Sequence, residues 1–123
     1  MAVFTKMPLS GSTDGRNIAV AATATPGTTI HTATASSGVD SLDEVWVWAG
    51  STSASAVQLG LTFGGGNQPG DQICSTVPVE YTGLTLVVPG LVMRNSTVLT
   101  ATASAAGKVN LSGFVNRISQ QSS

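Results

Sequence analysis

The sequence predicts an all-β protein: an antiparallel β-sandwich of jelly-roll type, with about eight strands and an extended N-terminal arm. Three observations point there. Short runs rich in Val, Ile, Thr and Trp recur at intervals of roughly 8 to 14 residues, the rhythm of a sandwich or barrel. Gly, Pro, Ser or Asn separates one run from the next. No stretch carries the periodicity of a long amphipathic helix. A chain of 123 residues has the size of one domain and can bury a core without disulfides or metals. An immunoglobulin-like sandwich is the second architecture that fits this rhythm.

The head, residues 1–16, carries Val3, Phe4, Met7 and Leu9 ahead of a run of Gly and Ser. No neighbouring segment offers it a hairpin partner. It reads either as a frayed leader or as an arm whose apolar side chains dock on another subunit. Phe4 favours the arm, because a large aromatic left in water gains nothing from burial. Val3, Phe4, Met7 and Leu9 are therefore candidate interface residues.

The sandwich itself spans 17–118. "NIAVAATA" (17–24) is its first strand and "TPG" (25–27) a turn. "TTIHTATA" (28–35) and "EVWVWAGS" (44–51) follow. "AVQLGLTF" (56–63) alternates and puts Val57, Leu59, Leu61 and Phe63 on one face. "DQICSTVPV" (71–79) is the next strand, and "LTLVVPG" (84–90) reads as a strand closed by a Pro-Gly turn. "TVLTATAS" (97–104) and "KVNLSGFVNRI" (108–118) complete the set. The polar tail "SQQSS" (119–123) is expected to fray.

Composition narrows the function. Charged residues are 9% of the chain, against about 25% in ordinary soluble domains. The net charge is −1, and the basic residues Lys6, Arg16, Arg94, Lys108 and Arg117 are scattered. Nucleic-acid binding needs a basic patch that releases counterions from phosphates, so DNA and RNA are not expected partners. Ser and Thr together make up about a quarter of the residues. A surface of hydroxyls in place of charges resists self-association poorly, which suits a surface covered by partners. The lone Cys74 forms no internal disulfide and reads as a buried, inert thiol made in a reducing cytoplasm. The N-terminus lacks the apolar run of a secretory signal. The most apolar window, 84–93, is too short to span a membrane and is broken by Pro89 and Gly90.

The stretch "LTFGGGNQPGDQI" (61–73) resembles a phosphate-cradling loop and fails on inspection. Gly65 and Gly70 have P-loop spacing, but Asp71 and Gln72 stand where Lys and Ser/Thr are needed. Pro69 occupies the third glycine position of the dinucleotide fingerprint counted from Gly64. Both motifs need a helix next, and "DQICSTV" is a strand. His31, between threonines in a strand, reads as a surface or interface imidazole. Asp40, Asp43 and Glu44 read as solvated acids at a strand start and lack the spacing of a calcium loop. "GSTDG" (11–15) is not a nucleophile elbow. No cofactor, metal or catalytic group is expected, and the chain does not read as an enzyme.

The tryptophans carry the strongest signal. In "DEVWVWAG" Trp46 and Trp48 share one strand face, and Val45 and Val47 share the other. A strand apolar on both faces must be covered on both. Either both tryptophans fill the domain's own core, or their face meets a layer outside this chain. That layer is a protein partner or a sugar stacked on the rings.

The stretches "SGSTDGRNIAV" (10–20), "TPGTTIHTA" (25–33), "DEVWVWA" (43–49), "VVPGLVM" (87–93) and "GFVNRI" (113–118) resemble small virion proteins of tailed bacteriophages. The similarity is greatest to capsid-associated proteins of the decoration, or cement, type. That resemblance implies a structural protein made in the host cytoplasm and carried on the capsid exterior. It implies a homotrimer bound to the major capsid protein at three-fold and quasi-three-fold junctions, and it brings no catalytic residues. Arg117, in the last strand, is a candidate to hydrogen-bond a neighbour. The alternatives are another virion component, of the neck or tail tube, or an adhesion module that binds carbohydrate through Trp46 and Trp48.

Overall fold

The computed structural model describes residues 2–24, 27–35, 41–64 and 71–120. The Gly-rich segment 65–70, the Thr-Pro of the "TPG" turn, Asp40 and the tail residues 121–123 lie outside the described residues. Among those described there is no helix. Nine strands form in chain order: β1 (Ala2–Pro8), β2 (Ile18–Ala19), β3 (Thr28–Thr32), β4 (Ser41–Ser51), β5 (Val57–Phe63), β6 (Gln72–Val77), β7 (Thr85–Met93), β8 (Val98–Ala103) and β9 (Val109–Gln120).

They make two antiparallel sheets packed face to face. The first sheet runs β1-β9-β4-β7, with β2 beside the other half of β9. The second runs β3-β8-β5-β6. Antiparallel pairs join β2 to β9, β3 to β8, β4 to β7 and β5 to β6. These pairs are nested, so the chain from β2 to β9 is one long hairpin rolled up on itself. The contacts β4·β9 and β5·β8 then close the two sheets. This is the strand order of a double-Greek-key jelly roll, and it decides against the immunoglobulin-like alternative.

The head is extended, and its backbone partner is the chain's own last strand. Ala2–Pro8 pairs in unbroken register with β9, from Ala2↔Gln120 to Pro8↔Phe114. Met7 packs against the core, and Leu9 is wholly inside it. Only Phe4 of the apolar head residues stands out in water, at 72% exposure. The segment after β1 tucks under the second sheet: Gly11 N–H donates to Ile30 O at 2.9 Å, and Thr32 N–H donates to Ser10 Oγ at 2.7 Å.

β7 also differs from the sequence reading. The strand runs straight through Pro89 and Gly90 in place of turning there. β7 is an edge strand, where a missing N–H costs no ladder bond. Register shifts opposite Val45/Trp46 and Val47/Trp48 absorb the extra residues as bulges.

The core lies between the sheets and follows the pleat. In β4, Asp43, Val45, Val47 and Ala49 are buried and the residues between them are half-buried. β9 adds Val109, Leu111 and Val115, and the second sheet adds Ile30, Leu59, Leu61 and Leu99. Gly113 of β9 faces Val47, and a Cβ there would collide with the backbone carbonyl of Trp46. Glycine at this position lets the two longest strands approach closely.

Leu61 has no exposed surface. Leu61→Ala is expected to lower unfolding free energy by about 2–5 kcal/mol, read by chemical denaturation. Thr29→Ala, on the exposed face of β3, is expected to change it by no more than about 0.5 kcal/mol.

Candidate functional site

Alternation in β4 sends Trp46 and Trp48 to the outer face of the first sheet while Val45 and Val47 enter the core. Neither tryptophan fills the core. Register sets Trp46 beside Phe114 of β9 and Pro89 of β7, and Trp48 beside Leu86. The three rings form one cluster. Trp46 and Trp48 lie with centroids 6.3 Å apart and planes 20° apart. Trp46 and Phe114 are 6.3 Å and 17° apart, and Trp48 and Phe114 5.9 Å and 30° apart. The first two pairs are stacked and the third is tilted.

The cluster is held in place. The Trp46 indole N–H donates to Glu44 Oε1 at 2.7 Å, and Asn116 Nδ2 donates to the same oxygen at 3.2 Å. Those two bonds hold the Glu44 carboxyl below its ordinary range. Lys6 Nζ sits 4.6 Å from the centre of the Phe114 ring, a cation–π contact. Gly90 has φ +79, and a Cβ there would lie 2.8 Å from Trp46 Cζ2. The bulged edge strand thus keeps glycine where the indole needs room.

Apolar side chains flank the cluster on two sides. Leu86 (42% exposed) and Val92 (60%) project from β7, and Phe4 projects from β1 on the far side. Phe4, Ile118 and Leu42 stand in one row across β1, β9 and β4. The polar row Lys6, Asn116, Glu44 crosses between them. Apolar side chains exposed on both sides of a polar row on one sheet face mark an interaction surface.

Arg117 lies on the inner side of the same sheet. Its Nε donates to Asp43 Oδ1 at 2.7 Å and its Nη2 to Asp43 Oδ2 at 2.9 Å. The guanidinium expected to reach a neighbour is therefore bound within the chain. Asp43 is wholly buried and accepts two further bonds, from His31 Nε2 at 2.8 Å and Thr34 N–H at 3.1 Å. His31 is buried too, not on the surface as its strand position suggested. Its Nδ1 accepts the Ser10 N–H at 3.0 Å. The ring proton therefore sits on Nε2 and faces the carboxylate. Ser10, His31 and Asp43 adjoin, but it is the Ser10 backbone N–H, and not its hydroxyl, that meets the imidazole. Both imidazole nitrogens are engaged, and the Ser10 hydroxyl accepts from Thr32 N–H.

The network ties β3 of one sheet to β4 and β9 of the other. Sequence reasoning missed it because its members are far apart along the chain. Asp43 was expected in water with Asp40 and Glu44; the inward pleat of β4 buries it against Arg117. Cys74, expected inside, is exposed on the outer face of β6. Among the described residues no group of three or more His, Cys, Asp or Glu is placed to hold a metal ion. Among the described residues no helix is long and apolar enough to cross a membrane. The chain matches no protein-family model, no curated protein and no solved structure.

Burial pushes the Asp43 carboxyl up, and the hydrogen bonds from Arg117 and His31, with the charge of Arg117, more than reverse it, leaving it below its ordinary value of 3.8. A carboxyl depressed in the folded state contributes stability that is full above its unfolded pKa and is lost as pH falls through the folded one. Urea midpoints are expected to hold above about pH 5 and to fall below about pH 4. Asp43→Asn is expected to flatten that fall. Asp43→Ala, which strands the guanidinium, is expected to cost about 3–5 kcal/mol.

Proposed function

We propose that this chain is a structural protein of a tailed-phage virion, a decoration or cement protein that docks on the outer capsid shell and stabilises it. The observation that carries the reading is the outer face of the first sheet: Trp46, Trp48 and Phe114 stacked, with Leu86, Val92 and Phe4 exposed around them. Tryptophan and phenylalanine are enriched at protein interfaces, and tryptophan dominates hot spots. The resemblance of the sequence to small virion proteins supplies the kind of container.

The mechanism follows from stiffness and number. A rolled sandwich with nested pairing presents the aromatic face as a rigid plate, so docking orders few side chains. A specific interface buries roughly 1,600 Å² in total. As a homotrimer, the chain sets three such plates on one junction between major capsid proteins. Effective concentration then makes modest contacts act together. A chain of net charge −1 has no attraction to the packed genome and suits the exterior.

A second reading keeps the same residues. The near-parallel indole rings also suit a carbohydrate platform, which would make the chain an adhesion module.

The test is co-sedimentation of purified protein with expanded, undecorated capsids of the phage that encodes it. The protein is expected to pellet with them. Leu86→Lys and Val92→Lys, at exposed positions that leave the core intact, are each expected to weaken retention by about tenfold or more, since a buried unpaired charge costs at least ~1.4 kcal/mol. Soluble protein left wholly in the supernatant contradicts the reading.

A further inference from the structure

The opposite face of the molecule has a different chemistry. On the outer face of the second sheet a shallow, solvent-open depression of about 500 Å³ lies over β5, β6 and β8. Gly60, in the middle of β5, forms its floor. Register puts Thr102 on one side of Gly60 and Cys74 on the other. A Cβ at Gly60 would lie 3.0 Å from Thr102 Oγ1 and 3.2 Å from Gln72 Nε2. A hydroxyl and an amide therefore lean over the glycine from two strands. Gln58, Thr76 and Ser104 complete the wall.

Three features define what fits. Among the described residues no charged one lines the depression, so none of them compensates a phosphate, a carboxylate or an amine. Among the described residues the side-chain polar groups of Gln58, Gln72, Thr76 and Thr102 take no partner within the chain. Primary amides offer a donor and an acceptor side by side, the complement of a vicinal diol. Threonine adds a methyl beside each hydroxyl, which matches the alternating C–H and O–H surface of a sugar ring.

We infer that this basin, with Gly60 as floor and Gln72, Thr102, Gln58 and Thr76 as its polar contacts, is a binding site for a neutral glycan. The site lies on the sheet opposite the aromatic plate, so a molecule docked through Trp46 and Trp48 presents it outward. It does not depend on which container the other face meets.

The experiment is amide chemical-shift mapping of the isolated, labelled protein with maltotetraose, cellotetraose and chitotetraose, each titrated to millimolar concentration. At least one is expected to shift the amides of Gly60, Gln72 and Thr102, at millimolar Kd or tighter. Gly60→Val, which fills the floor, and Gln72→Ala, which leaves the backbone untouched, are each expected to weaken that sugar by about tenfold. Three results would overturn the inference: no shifts with any of the three sugars, shifts confined to the surroundings of Trp46 and Trp48, or undiminished binding in both variants. Capsids take no part, so this outcome and that of co-sedimentation are read separately.

Discussion

In β4 successive side chains point to opposite faces, and both faces carry apolar groups. Asp43, Val45, Val47 and Ala49 go inward, and Trp46 and Trp48 go outward. A slip of one residue against β9 would drive the indoles into a space filled by valines and expose a buried ion pair. The register of this central strand is therefore strongly specified. The first sheet, the core and the aromatic plate all inherit their positions from it.

The Asp43 network reinforces the same register from the end of the sandwich. Asp43 stands directly opposite Arg117 in the β4·β9 ladder, and His31 reaches it from the other sheet. A buried ion pair is weak as a source of net stability, because desolvation offsets the attraction. Its effect here is geometric. The carboxylate takes four hydrogen bonds, and only the native stacking of the two sheets supplies all of them. Ser10, bound to His31, fastens the segment that carries β1 to the same point.

Much of this was legible from residue patterns, for physical reasons that also explain the failures. The strands of the body announce themselves by period-two alternation and by turn residues between them, which are local signals. β1 was missed as a strand because its partner lies at the other end of the chain, and no hairpin turn marks a pairing so distant. Pro89-Gly90 looked like a turn because edge strands tolerate both residues, and a single sequence does not reveal which strand is an edge. The tryptophan face was identified by its parity, but whether it pointed in or out depended on which side the second sheet lay. Asp43 and His31 look like ordinary surface groups until Arg117 is brought beside them. The basin over Gly60 had no sequence signal beyond a glycine in a strand, since its walls come from three separate strands.

Both tryptophans of the chain lie in the outward cluster, so intrinsic fluorescence reports on that face alone. The most direct measurement is therefore acrylamide quenching of tryptophan emission, for the free protein and for the protein held on its particle. If the aromatic plate is the docking surface, bound protein emits at shorter wavelength and its quenching constant falls several-fold. If bound protein is quenched as readily as free protein, with unshifted emission, the molecule is attached by some other face and the account of the first sheet is wrong.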